Sequence, residues 1–268
     1  MRVLVTGGTG KLGRQLLPKL QRAGYEVVAL SRRPLPADMP ARYAPGDLST
    51  GEGIEDAIRG CDVLLHAATA GFGDRYTFRW AVFHRAGVDV RGTQMLLEAA
   101  ERMGISHFLF TSIVGMDRVP YWPNIYRFFK HKLAAERLVR DSSTPWTIAR
   151  MTQFHPLLDQ IFKWQFGKPG PVIVLDARGQ PIDPSDAADA VITYLGRDPA
   201  RDVLEIGGPE VLPARDIVEA WTARRGVHRK AHVYRAPGKL GRAMAEGALT
   251  CPDKAIGTIT WAEWLSRN

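Results

Sequence analysis

Thr6-Gly7-Gly8-Thr9-Gly10-Lys11-Leu12-Gly13 is the stretch that decides the fold of this chain. Before it, Arg2 to Thr6 is a short β-branched run. After it, Leu12, Leu16, Leu17 and Leu20 recur at helical spacing until Gly24 stops the pattern. A strand, a glycine turn and an amphipathic helix therefore follow one another directly. Gly7 permits the tight turn, Gly10 lets the backbone approach an anion, and Gly13 lets helix and strand pack closely. The helix N-terminus then faces the negative charge. Gly7, Thr9, Gly10, Lys11, Leu12 and Gly13 are expected to cradle the pyrophosphate of a dinucleotide.

The same alternation continues outward. Glu26–Leu30 and Asp62–Ala67 read as strands, Trp80–Met103 as a long helix ended by Gly104, and His107–Thr111 as a strand. A helix near Ile125–Arg140 and a strand at Trp146–Arg150 follow. Strands separated by helices predict an α/β fold, a Rossmann-like doubly wound parallel sheet. Beyond Arg150 the strands shorten and Pro and Gly become frequent. Residues 1–150 are read as the dinucleotide-binding core and 151–268 as a smaller substrate lobe integrated with it. Asp183-Pro184-Ser185-Asp186 opens a helix through Leu195, with Asp183 as N-cap and Pro184 in the first turn.

Cofactor choice is read at the end of the second strand. A site for NAD(H) places Asp or Glu there to bind the ribose 2′-hydroxyl. This chain has Ser31-Arg32-Arg33 instead, and guanidinium groups suit a 2′-phosphate through bidentate charged hydrogen bonds. NADP(H) is expected in preference to NAD(H).

Together these stretches resemble the short-chain dehydrogenase/reductase superfamily, in its atypical, NmrA-like or epimerase-like branch. Besides the glycine turn, Gly46-Asp47-Leu48 looks like the acidic turn that contacts adenine. His66-Ala67-Ala68-Thr69 looks like the strand-four segment that lines the cofactor. Asp89 to Ala100 looks like the central helix, and Thr111-Ser112-Ile113 like the strand-five serine segment. Pro145 to Arg150 with Thr152 to His155, Gly207-Gly208-Pro209-Glu210 and Gly257 to Trp261 extend the resemblance over nearly the whole chain. It implies that Asp47, Leu48, Ala67, Ala68, Thr69 and Thr111 join the cofactor site.

Reductases of that superfamily use a Tyr-x-x-x-Lys pair and a Ser. Residues four apart share a helix face. The Lys cation favours the tyrosinate, the Tyr hydroxyl passes a proton to or from the carbonyl oxygen, and the Ser polarises that oxygen. Tyr126-Arg127-Phe128-Phe129-Lys130 is a literal match. A second register, Lys132-Leu133-Ala134-Ala135-Glu136, resembles the family's Lys-x-x-x-Glu run and has the longer downstream match. It puts Phe128 where the Tyr would be. Two residues are about 200° of helix, so Lys130 and Lys132 cannot both face the nicotinamide. In the Lys132 register Ser112, Tyr121, Tyr126, His131 or water must supply the proton, or the protein does no hydride chemistry.

Composition bounds the rest. The chain has 268 residues, a net charge of +8, and two cysteines in no metal or disulfide pattern. No leader pattern and no apolar run of about 20 residues is read, so a cytoplasmic protein without a membrane partner is expected. His228-x-x-x-His232 has metal spacing only if helical, and Arg229 and Lys230 stand between the histidines; no metal is expected. Arg224, Arg225, Arg229, Lys230, Arg235, Lys239 and Arg242 form a basic stretch, but no aromatic ladder accompanies it, so no nucleic-acid partner is expected. Phe154, Phe162, Trp164 and Phe166 could line a substrate cleft or form lobe core. Gly71-Phe72-Gly73-Asp74-Arg75 is read as a loop that gates the site. The function expected is NADPH-dependent reduction or oxidation of a small carbonyl or hydroxyl compound. The alternatives are a non-catalytic NmrA-like dinucleotide sensor that binds a partner protein, and epimerase chemistry on a nucleotide sugar.

Overall fold

The structure, a computed structural model, describes residues 1–69, 87–120 and 126–268, with the side chains of Tyr126 and Arg127 excluded. Seven parallel strands make the main sheet: β1 (Arg2–Thr6), β2 (Glu26–Ser31), β3 (Arg42–Pro45), β4 (Val63–His66), β5 (His107–Ile113), β6 (Trp146–Met151) and, later in the chain, β9 (Val203–Ile206). Their order is β3-β2-β1-β4-β5-β6-β9. The chain winds out from β1 in one direction, then returns and winds out in the other. The β1/β4 boundary is thus the switch point where an open α/β sheet binds ligands.

Side-chain alternation builds the two faces. Val3 and Val5 of β1 pack with α1 (Gly13–Arg22) and α6 (Pro184–Leu195), through Leu16, Leu17, Leu20, Ala187, Val191 and Leu195. Leu4, between them, points to the other face. There Leu64, Phe108 and Phe110 meet α2 (Ile54–Ile58), α3 (Thr93–Arg102) and α4 (Tyr126–Asp141) through Ile58, Leu96, Ala135 and Val139. The expected Trp80–Met103 helix begins outside the described residues. Its described part is a π-helical turn, Gly87–Gly92, running into α3.

The chain beyond β6 divides between the sheet and a second cluster. β9 pairs with β6 in the main sheet, and α6 covers that sheet. Asp183 caps α6 by accepting from the Ser185 amide at 2.7 Å. α5 (His155–Phe166), β7 (Val172–Leu175), β8 (Arg178–Gly179), β10 (Leu212–Pro213), α7 (Ala214–Arg224), β11 (Ala231–Tyr234), α8 (Gly238–Ala245) and α9 (Trp261–Arg267) form the remainder. Phe162, Ile217, Trp221, Trp261, Trp264 and Leu265 are its core. Phe162 and Phe166 pack on Trp221, so these two aromatics are lobe core and not cleft lining.

Candidate functional site

The glycine turn joins β1 to α1 as its residues require. Gly7 has φ +74°, and a Cβ there would stand 2.7 Å from the Ala67 carbonyl and the Ala68 nitrogen. A Cβ at Gly13 would be 2.2 Å from the Gly7 oxygen. Both positions admit only glycine, and together they bring the start of α1 against the ends of β1 and β4. The Arg14 amide donates to the Gly10 carbonyl at 3.0 Å, and those of Gln15 and Leu16 donate to the Leu12 carbonyl at 3.0 and 2.9 Å, so what α1 turns toward a ligand here is chiefly the positive end of its dipole. Leu12 is buried in the core between α1 and the sheet, so its backbone and not its side chain is available to a ligand. Lys11 Nζ reaches Gln160 Oε1 of α5 at 2.9 Å.

At the end of β2, Ser31 is half-buried while Arg32 and Arg33 are exposed. The Gly46 amide donates to the Ser31 carbonyl at 3.2 Å, which sets the Asp47 turn beside them. Asp47 Oδ1 accepts from the Ser49 amide and hydroxyl, each at 2.8 Å. Those bonds, with the nearby Arg32 charge, hold its carboxyl below the usual range. Leu48 is buried in the core.

A buried polar chain runs along the C-terminal ends of β1 and β4. Thr93 Oγ1 lies 2.7 Å from the Asp89 carbonyl, which can only accept, so the hydroxyl donates there. His66 Nε2, 3.0 Å from the same oxygen, must then donate to it. His66 Nδ1 is left as an acceptor for the Thr6 hydroxyl at 2.7 Å, and Thr6 Oγ1 accepts the Ala68 amide at 3.3 Å. This direction of bonds needs a neutral imidazole. Burial, assisted by the Lys132 charge, pushes the His66 pKa down to about 3.

The chain of bonds reaches Asp89. Its backbone carbonyl takes Thr93, while its carboxylate takes the Thr69 hydroxyl at 2.6 Å and pairs with Lys132 Nζ at 3.9 Å. Lys132 also donates to the Thr111 carbonyl at 3.1 Å and sits over the Phe110 ring at 4.4 Å. It is 4% exposed. Burial lowers its pKa, and Asp89 and Glu136 oppose that shift. One turn on, Glu136 takes both Arg150 Nε (2.9 Å) and Nη2 (2.7 Å), and Arg150 Nη1 reaches Asp117 at 2.9 Å. Arg150 is the cross-strand partner of Ser112. Ser112 Oγ is buried and has no hydrogen-bond partner among the described residues.

Packing thus separates the two lysine registers. Lys132 faces the sheet, whereas Lys130 is exposed and is not brought to this cluster. Phe128 is buried with Met116 and Phe129. Tyr126 starts α4, but its side chain, like Tyr121 and the Gly71–Arg75 loop, lies outside the described residues. Asp89, Glu136 and Arg150 were not singled out as site residues in the sequence. Asp89 carries only a helix resemblance, Glu136 only its place in the Lys-x-x-x-Glu run and Arg150 only a strand resemblance, and none of these signals its partner.

Three of the seven cations of the basic stretch are structural. Arg224 and Arg225 bind the carbonyls of Leu265, Ser266 and Asn268, and Arg229 binds those of Gln165 and Lys168. Guanidinium groups there satisfy the orphan acceptors at the ends of α9 and α5. His232 lies on β11, in extended chain and not on a helix. No helix among the described residues is long and apolar enough to cross a membrane.

A family model described as NAD(P)H-binding matches residues 7–198. The photosystem II assembly factor Ycf39 of Synechocystis is 29% identical over 233 residues, covering 82% of this chain and 66% of that protein. Against the Ycf39 of Cyanophora paradoxa, 30% identical over 177 residues and 61% of this chain, the chain spans 52% of the relative's length. Among solved structures, the NADPH-dependent quinone oxidoreductase of Escherichia coli complexed with NADPH has a TM-score of 0.74 at 17% identity, covering 99% of both chains. At this identity the likeness is one of fold.

Proposed function

The chain belongs to the NAD(P)H-binding family, in keeping with its resemblance to the atypical short-chain dehydrogenases, and from that premise we propose that it is an NADPH-dependent oxidoreductase acting on a small carbonyl or hydroxyl compound. One observation carries the reading: a buried ammonium, Lys132, and an unpartnered buried hydroxyl, Ser112, share the end of β5 at the ligand-binding edge of the sheet.

The residues fit the cofactor. The start of α1 and the Gly7–Gly13 turn would hold the pyrophosphate, and Arg32 and Arg33, exposed beside Ser31, would hold a 2′-phosphate. Ala67, Ala68, Thr69 and Thr111 line the edge between them and Lys132. When bound, the cofactor supplies or accepts the hydride. Lys132 fixes positive charge at the β5 end, and Ser112 Oγ donates to the substrate oxygen on which negative charge develops. Asp89 supplies the countercharge that keeps Lys132 protonated inside the fold.

The test is titration of the cofactor-stripped protein with NADPH and NADH, followed by NADPH oxidation over a panel of carbonyl compounds and quinones. Selective NADPH binding with turnover supports the reading. Tight NADPH binding with no turnover across the panel counts against it.

A second reading is favoured by Phe128, buried where the family's tyrosine would stand, and by the assembly-factor relative. On that reading the chain is a dinucleotide sensor that binds a partner protein. It requires partner affinity to differ between the NADPH and NADP⁺ forms, and equal affinity would refute it.

A further inference from the structure

The basic stretch does not end with its structural arginines. Lys239 and Arg242, one helical turn apart on α8, have no hydrogen-bond or ion-pair partner among the described residues. Both line a cavity of about 420 Å³ together with Asp117, Arg118 and Glu246. That volume is in the range of small-molecule sites, about 300–1,000 Å³.

The other charges of the lining are mostly committed. Asp117 accepts from Arg150 at 2.9 Å. Arg118 binds Glu205 at 3.2 Å and the Thr250 carbonyl at 3.0 Å. Glu246 is the remaining acid, so two uncommitted cations face one uncommitted carboxylate. The walls are held at a set spacing, because Gly115 packs so closely on the Ala248 carbonyl that a Cβ would come within 1.7 Å of it. The cavity also adjoins the candidate site. Asp117 follows Ser112 by one short loop, and its partner Arg150 is paired with Ser112 across β5 and β6.

We propose that this cavity is the substrate's anion subsite, in which Lys239 and Arg242 bind a carboxylate or phosphate group of the small molecule whose reacting carbon lies by Ser112. The inference rests on the oxidoreductase reading and names the substrate class: an anionic carbonyl or hydroxyl compound. An entering anion would satisfy two cations that the fold leaves unpaired.

The experiment uses the full chain saturated with NADPH, whose binding is measured first in the same samples. Benzoate, phenyl phosphate and the neutral benzyl alcohol are then titrated by calorimetry. The proposal expects at least one of the two anions to bind and the alcohol to bind at least about tenfold more weakly. The tighter anion identifies the group as carboxylate or phosphate. Lys239→Gln with Arg242→Gln, on a solvent-exposed helix face, should weaken anion binding at least tenfold while NADPH affinity stays unchanged. Lys230→Gln, outside the cavity, should change neither. NADPH binding with no anion bound, or equal binding of anions and alcohol, overturns the subsite alone. Unchanged anion affinity in the double variant does the same. Failure to bind NADPH overturns the underlying reading instead.

Discussion

Lys132 and Asp89 are buried together, with Nζ 3.9 Å from Oδ1, and the Asp89 charge opposes the downward push of burial on the Lys132 ammonium. The pair links α4 to the π-helical turn before α3, and through Thr111 and Thr69 it touches the ends of β5 and β4. Asp89→Asn keeps the shape and removes the countercharge. It should destabilise the protein by about 3 kcal/mol, as a buried cation that loses its partner does. Urea unfolding measures this. A loss below about 1 kcal/mol would mean that Lys132 is already neutral in the native state.

His66 makes the fold acid-sensitive. Its folded pKa is about 3, against the ordinary 6.5. Between those values the unfolded chain binds a proton that the native state does not, so stability rises with pH and is lost as pH falls below 6.5. From pH 7 to pH 5 this residue alone should remove about 2 kcal/mol. His107, buried and shifted downward mainly by desolvation, acts in the same direction. The readout is therefore the difference between wild type and His66→Gln, whose stability should fall less over that interval. Parallel stability–pH curves would show that His66 is not neutral and buried in solution.

Glu136 and Arg150 are joined by two hydrogen bonds in a buried setting. Glu136→Gln or Arg150→Met should each cost about 3–5 kcal/mol, because a charge is left behind. The double variant should be less destabilised than the sum of the singles. Additive losses in a double-mutant cycle would show that the two groups do not interact.

Lys132 and Lys130 differ in what they face. Lys132→Ala should weaken NADPH binding or lower turnover at least tenfold, whereas Lys130→Ala, on the exposed side, should leave both within about twofold. Fluorescence titration with NADPH checks the affinities, and the reverse order would restore the Tyr126/Lys130 register.

Arg32 is the position at which cofactor preference should be set. Arg32→Ala is expected to weaken NADPH about tenfold or more and NADH little, since only the former has a phosphate for the guanidinium. Equal losses for the two would remove Arg32 from the 2′-phosphate site.

The glycine turn, the strand before it and the helix after it are legible because each is local. Glycine spacing, strand alternation and the Leu12–Leu20 periodicity act over a few residues, and the parallel sheet follows from their repetition. The short strand β3 and helix α2 were not legible, since neither has enough residues to show a period. The Asp89 turn, partly hidden in a long helical pattern, was read as plain helix.

What the amino-acid sequence determined by itself was thus the doubly wound architecture and the place of the glycine turn between β1 and α1. Only the tertiary structure decided which lysine of α4 faces the sheet, because periodicity defines a helix's faces but not which of them packs inward. It also decided the partners of Lys132 and Arg150. Charge pairing is nonspecific along a chain, and Asp89 meets Lys132, as Glu136 meets Arg150, only once helices and strands from separate segments have packed. The basic stretch shows the same division. Its composition reads as one charged segment, and packing assigns Arg224, Arg225 and Arg229 to helix ends while leaving Lys239 and Arg242 at a cavity.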